Sequence, residues 1–444
     1  MKLILLACLL APKTYAQSAQ QAEAMLHAGD VDGALGLAKA AIEINPSDRT
    51  SHALLIDILM HRGLGATAQS LYTDFAENNA DSAMAWTLLG RASTRIERAT
   101  EAYQKALNIN PHFAPAWVGM GDIYRAAGEF TNASVAYEKA IELDSQEATA
   151  YTGLGALYLQ HGKRPKALET AQKAMSQVPA DSEAYLAVAR LQPDQALRML
   201  QKGAQAAPQD PRIHSGLGRL YMEAGRLAEA HTAFEKTLSI HLHHPEAGRH
   251  MAVLQAIEAD QLDLAGWEQM ERSAALIADT PEAAIDLNAQ LRDRFPDCAL
   301  IRLLSAQPLV ALGRLDEAQV QLEEGLALNN EDIDLNATLG LLLQARGDHP
   351  SALPFLEKAA LSRPSDPSLQ LAYGISTANV RGPRMAAQIL ATAAERFPSD
   401  ARPAMALATL LSKNGDPESA YTVLVRAVAQ YPSPDLLLAL AGAA

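Results

Sequence analysis

An all-α solenoid of stacked antiparallel helix pairs is the fold class that this 444-residue sequence predicts, from composition, proline placement and an internal period. Hydrophobic residues make up 49% of the chain but aromatics only 5%, so the apolar material is mostly Ala and Leu, which lose little rotamer freedom in a helix. The 23 prolines forbid long coiled coils and suit short helices separated by stops. Prolines or loop residues recur at Pro46, Ala80, Pro111, Ser145, Pro179 and Pro208, and again at Pro296, Asn330, Pro364, Pro398 and Pro432, most of them 34 residues apart. Two shorter intervals, 31 residues from Ala80 to Pro111 and 29 from Pro179 to Pro208, read as shortened repeats.

Composition also excludes function classes. Charged residues at 20% argue for a folded, soluble chain rather than wholesale disorder. A net charge of −14 and a pI near 5.3 disfavour binding to the nucleic-acid backbone, which demands a basic surface. Two cysteines exclude a disulfide framework and a four-cysteine zinc site.

At the N-terminus, Met1-Lys2 precedes the apolar run Leu3 to Ala11, then Pro12 and Thr14-Tyr15-Ala16. This reads as a secretory signal peptide over residues 1–16, removed after Ala16. Nine apolar residues are too few for a membrane-spanning helix, which needs about 20. Removal takes Lys2 and Lys13 away and shifts the charge from −14 to −16. Leu5-Leu6-Ala7-Cys8 supplies the alternative, a lipoprotein processing site with Cys8 as the lipid anchor. Loss of Cys8 leaves Cys298 alone, as a small buried hydrophobe.

Within each period the same residue types return at fixed offsets. In the clearest copy Trp117, Met120, Gly121 and Tyr124 share one helical face, Gly128 breaks the chain, and Ala133, Tyr137 and Ala140 lie on the next helix. The following copy runs Tyr151, Leu154, Gly155, Tyr158, Gly162, Ala167, Ala171, Ala174 and Pro179, and His214, Leu217, Gly218, Tyr221, Gly225, Ala230 and Phe234 repeat it again. Gly121, Gly155 and Gly218 are expected to let helices approach closely, while glycine after the first helix permits the left-handed turn that stops it. One pair cannot bury its apolar faces alone, whereas stacked neighbours can.

Trp117, Gly121, Tyr124, Gly128, Ala133, Tyr137 and Ala140 resemble the tetratricopeptide repeat, and the resemblance extends over nearly all of the chain after residue 16. It implies a right-handed superhelical α-solenoid of about 11–12 units with the first helix of each repeat lining a concave groove. A first copy fits 17–46, with Met25, Gly29, Ala34, Ala38, Ala41 and Pro46 in place. Further copies occupy 49–80, 83–111, 114–145, 148–179, 182–208 and 211–242, completing an N-terminal array over 17–242. Residues 243–298 break the pattern: stretches near 245–258 and 265–277 are helical, Pro281 follows, and Ala284 to Arg294 resembles a second helix ending at Pro296. This segment is expected to join the arrays as one extra helix and one degenerate repeat. Copies at 299–330, 333–364, 367–398 and 401–432, followed by Asp435 to Ala444, make a C-terminal array over 299–444. Its last helix is either packed back on the preceding repeat or docked elsewhere.

The repeat register nominates groove residues. The N-terminal array offers Arg91, Asp122, Ala156, Arg190 and Arg219 at the inward ninth position, with Arg125, Glu183 and Arg212 nearby, a mixed but locally basic surface. The C-terminal array offers Leu300, Leu303, Gln307, Val310, Ala337, Leu341, Gln344, Leu371, Ile375, Ala378, Met405 and Thr409, a nearly uncharged surface suited to an amphipathic helix or extended segment. Some members of the family grip a C-terminal carboxylate with Lys and Asn. Thr87, Arg91, Val118, Asp122, Thr152 and Ala156 occupy those positions here and do not support that mode.

Chemistry finds little purchase. His241, His243, His244 and His250 with Glu246 form the one local cluster, Glu246 and His250 sharing a helix face, yet no established metal spacing is met. Glycine pairs such as Gly119/Gly121 and Gly153/Gly155 lack the preceding strand of a dinucleotide fingerprint. No catalytic residue, cofactor or metal is assigned. The expectation is an exported, periplasmic, non-enzymatic scaffold that binds protein or peptide partners through its groove, in a membrane-associated envelope assembly, secretion or polysaccharide-export complex. A metal or small-molecule chaperone using His241–His250 is the alternative. Asn132-Ala133-Ser134 and Asn336-Ala337-Thr338 have the form of glycosylation acceptors.

Overall fold

A computed structural model describes residues 31–62, 64–241, 244–398, 400–430 and 433–443. The proposed signal segment with Cys8, the first-repeat residues Met25 and Gly29, and His243 and Pro432 lie outside the described residues. Within them all regular structure is helical: 25 α-helices and one short 3-10 turn at Pro193–Gln195. Eleven antiparallel pairs run from Arg49–His61 with Gly65–Asn78 to Ala401–Lys413 with Pro417–Gln430. Val31–Ile44, Pro245–Glu258 and Pro434–Ala443 stand outside these pairs. Contacts group the chain into two compact units, Met1–His250 and Met251–Ala444.

Local chemistry explains where helices start and stop. Eight of the eleven leading helices begin at a side-chain cap: the carboxylates of Asp48, Asp181, Asp210, Asp263, Asp332, Asp366 and Asp400, or the Ser82 hydroxyl, accept from a backbone N–H in the first turn. The leading helices of seven pairs end just before a glycine with φ between 69° and 96°, such as Gly128 and Gly415, a conformation that penalises any Cβ. The shortened repeats dispense with that turn. Leading helices Ala83–Ala92 and Ser182–Leu191 are 10 residues long rather than the usual 13, and the Pro193–Gln195 turn replaces part of one trailing helix.

One hydrogen bond recurs at the fourth residue of the leading helix and reaches the carbonyl six residues earlier. Trp86 and Trp117 donate from Nε1 to Ala80 O (2.8 Å) and Pro111 O (2.9 Å), and the Tyr151 and Tyr185 hydroxyls donate to Ser145 O (3.2 Å) and Pro179 O (3.1 Å). His52 and His214 bond Pro46 O (2.9 Å) and Pro208 O (3.0 Å) through Nε2, and Asn336 Nδ2 donates to Asn330 O (3.0 Å). Residue types that look unrelated in sequence share one donor at one reach, so each of these seven pairs is tied to the turn that precedes it. Asn336 is buried in this role and is thereby removed as a glycosylation acceptor, whereas Asn132 is exposed.

His214 makes this tie sensitive to pH. Burial holds its pKa below the ordinary histidine range, opposed by the bond to Pro208, and burial acts the same way on His244. The unfolded chain therefore takes up protons first, near pH 6.5, and the stability contributed by the neutral rings is fully present above that pH and is lost as pH falls from there through the lower folded-state pKa. The thermal midpoint is expected to be lower at about pH 5 than at about pH 7.5, and to depend less on pH in His214→Tyr, which keeps a donor as Tyr151 and Tyr185 do. Equal pH dependence in calorimetric scans of the two proteins would contradict this assignment.

Core packing follows a small-against-large rule between the two helices of a pair. The eighth residue of the leading helix faces the eighth residue of the trailing helix: Gly90 with Tyr103, Gly121 with Tyr137, Gly218 with Phe234, Gly340 with Leu356, and Gly374 with Leu390. A Cβ placed on any of these glycines would lie 2.5–2.8 Å from the large partner, well inside contact distance. Ala306 with Leu322 and Ala408 with Leu424 follow the same rule within their core clusters. In the degenerate pair Asn288 takes the large position, fully buried, accepting from Ser273 Oγ (2.6 Å) and donating to Leu304 O (3.3 Å). Gly155 departs from expectation: nothing lies within 4 Å of a Cβ built there, because its partner position holds Ala171.

Candidate partner-binding surfaces

In the first unit each nominated arginine lies on a leading helix and is paired with a carboxylate. Arg91 is bidentate to Asp57 (Nε–Oδ1 3.0 Å, Nη2–Oδ2 2.6 Å), and Arg219 pairs with Glu223 one turn on (2.6 Å). Arg125 lies 3.6 Å from Asp122 and donates to the Tyr137 hydroxyl at 3.3 Å. Arg190 and Arg212 share Glu183, and Arg212 also bonds Asp210 (2.7 Å) and Ser182 Oγ (3.1 Å). Burial raises the Asp210 carboxyl pKa, but the Arg212 guanidinium more than offsets this and holds it below the usual range. The basic character read from the sequence is thus neutralised pair by pair. Sequence reasoning missed Asp57, Asp210 and Glu223, whose one signal was their offset from the arginines. It also missed Arg49, which reaches the buried carboxylate of Glu147 at 2.8 Å across 98 residues.

In the second unit the nominated positions divide between core and surface. Leu303 and Met405 are half-buried against core clusters, Ile375 is half-buried, and Ala337 is buried. Leu341 and Val310 remain 38% and 42% exposed. Gln344 is engaged by the next leading helix, its Nε2 donating to Ala372 O (2.8 Å) and Ser376 Oγ (3.0 Å). The final helix Pro434–Ala443 packs back through buried Leu436, leaving Leu437 and Leu438 exposed.

The described histidines of the 241–250 segment perform structural tasks. His244 Nδ1 accepts from Ala247 N at 3.2 Å and so caps helix Pro245–Glu258. The His250 ring stacks on Phe234 with centroids 5.1 Å apart and planes 2° from parallel, and its Nδ1 lies 2.8 Å from Glu246 O. Among the described residues no three His, Cys, Asp or Glu side chains converge as a metal site. Cys298 is buried, and burial pushes its thiol pKa up.

Two concavities lie in the first unit. A cleft of about 620 Å³ runs between trailing helices Phe130–Leu143 and Arg164–Gln177, bordered by Glu138, Glu142, Lys166 and Lys173. A smaller pocket of about 220 Å³ opens between leading helices Ala148–Gln160 and Ser182–Leu191; Ala167, Ala171 and Ala174 line it, with Glu183 and Arg190 also at its wall. No helix among the described residues is long and apolar enough to cross a membrane.

Comparisons with known proteins bear on the repeats themselves. Profiles described as TPR repeat or tetratricopeptide repeat match residues 121–162, 192–254 and 337–358. No curated protein matches the sequence. Similar solved structures include a thermophilic TPR protein of Thermus thermophilus, 22% identical, spanning 40% of this chain and 98% of its own, with a TM-score of 0.32. YrrB, described as a TPR protein with an unusual peptide-binding site, is 21% identical over 40% of this chain and 96% of its own, with a TM-score of 0.28. The Cut9–Hcn1 hetero-tetramer of the APC/C is 15% identical over 98% of this chain and 99% of the matched chain, with a TM-score of 0.34. Tetratricopeptide repeats are therefore present in both units of this all-α chain.

Proposed function

We propose that the chain is a non-enzymatic scaffold that binds protein or peptide partners along the leading-helix faces of its repeats. The observation that carries this reading is the state of those faces. Their arginines are already neutralised by neighbouring carboxylates, and Leu341 and Val310 stay exposed on the leading helices of the second unit. Such surfaces suit contact with another chain rather than chemistry on a small substrate. The apolar run at residues 3–11 supports export, and the reading places the scaffold in a periplasmic assembly, secretion or polysaccharide-export complex.

Co-purification from native envelope extracts tests it. Variants carrying Arg190→Glu with Arg219→Glu, or Leu341→Asp with Ile375→Asp, are first checked for unchanged helicity. A partner held by the native chain should be lost at least roughly tenfold from one folded variant, as for an interface centred on a few residues. Equal retention by both variants, or enrichment of nothing, contradicts the reading.

A further inference from the structure

On the trailing-helix side the small-against-large rule fails at one of the described pairs, and the failure leaves an opening. Among the described pairs the trailing-helix position holds Tyr72, Tyr103, Tyr137, Leu200, Phe234, Asn288, Leu322, Leu356, Leu390 and Leu424, but Ala171 in the pair Ala148–Gln160 and Arg164–Gln177. The opposing glycine is nevertheless kept, and a Cβ on Gly155 would meet nothing within 4 Å. Two small residues face one another where every intact glycine pair sets a ring or a leucine. The result is the 220 Å³ pocket, reaching between the leading helices down to Ala167, Ala171 and Ala174 on the trailing helix.

We propose that this pocket is a socket for one phenylalanine side chain carried on an extended, uncharged segment of a partner protein. The proposal rests on the scaffold reading and specifies what one part of that surface recognises. The occupant is argued from the molecule's own repeats, because the equivalent space beside Gly121 and Gly218 is filled by the rings of Tyr137 and Phe234. Size agrees: an engineered apolar cavity of about 150 Å³ takes up benzene, so 220 Å³ accommodates a phenyl ring and its methylene. Polarity narrows the choice further. The Tyr137 hydroxyl donates to Asp122 Oδ1 at 2.6 Å, but the residue at that register here is Ala156. A ring entering between the leading helices brings its far edge against Ala167, Ala171 and Ala174, where no side chain accepts a hydrogen bond, so a phenol is penalised and a phenyl is not. Of the charged groups at the wall, Glu183 pairs with both Arg190 and Arg212, and Asp181 caps its own helix by accepting from Glu183 N at 3.1 Å, so the apolar anchor supplies the affinity and salt has little effect.

The alanine methyl groups report on this directly. The full chain, labelled with ¹³C at alanine methyls, is titrated with N-acetyl-phenylalaninamide, N-acetyl-tyrosinamide and N-acetyl-alaninamide. Saturable shifts of the Ala167, Ala171, Ala174 and Ala184 methyls are expected with the phenylalanine probe, with affinity roughly tenfold weaker for tyrosine and no saturation for alanine. Ala171→Leu and Gly155→Leu plug the socket from opposite walls and should abolish the shifts while the thermal midpoint holds or rises. Absence of shifts in the native chain, shifts that persist in both plugged proteins, or tyrosine binding as well as phenylalanine overturns the proposal. Partner capture separates this from the broader reading. A partner lost from the Leu341→Asp, Ile375→Asp protein but kept by both plugged proteins leaves the scaffold standing and removes the socket, whereas probe binding without any captured partner does the reverse.

Discussion

Replacing Tyr137 by alanine is expected to destabilise the first unit by about 3–5 kcal/mol, the range for truncating a large buried ring. The side chain is fully buried and lies against both Gly121 of its own pair and Gly153 of the next leading helix, so it serves two interfaces at once. Its hydroxyl is held between Asp122 and Arg125, and burial followed by the Asp122 charge pushes its pKa up, so it stays a neutral donor. Tyr137→Phe removes only that donor and should cost about 1 kcal/mol. Because stacked repeats contact mainly their neighbours, the loss should be concentrated in Ala114–Leu143 and Ala148–Gln160. Native-state hydrogen exchange reads this helix by helix. Protection lost evenly over both units, or no more in Tyr137→Ala than in Tyr137→Phe, would show that the ring does not knit the two pairs.

Gly121→Ala and Gly155→Ala should move stability in opposite directions although the two glycines occupy the same register. At Gly121 the new methyl would lie 2.7 Å from the Tyr137 ring, and forcing these helices apart costs about 1–3 kcal/mol. At Gly155 the methyl enters open space while the helix gains about 1 kcal/mol of propensity from replacing glycine. Urea unfolding followed by circular dichroism, with exchange to localise the effect, measures the contrast. Two destabilised variants would mean that the space beside Gly155 closes in solution.

The repeat period carried nearly every element boundary. Pro111, Gly128 and Pro179 act through backbone geometry local to a few residues, and the helices end where those residues stand. The two shortened intervals were legible as missing residues, but their place was not, since a turn at Ser93–Arg95 or Pro193–Gln195 depends on how the trailing helix docks. Candidate surface residues were legible only as positions. Register put Arg91, Arg190, Arg212 and Arg219 on leading helices, yet whether each is free or neutralised depends on carboxylates one turn, one pair or more away.

Fold class, helix order and the identity of the repeat followed from the sequence because they rest on short-range physics: propensity, caps, φ-positive glycines and a period of apolar positions. The roles of single side chains waited for the folded arrangement, because they arise where residues distant along the chain converge. His250 resembles a ligand beside Glu246 until Phe234 is found stacked on its ring. Gly155 reads like Gly121 until the opposite wall proves to be Ala171 rather than a tyrosine, and the same glycine that closes one interface opens another. Packing is a property of pairs, and a pattern read one position at a time does not contain it.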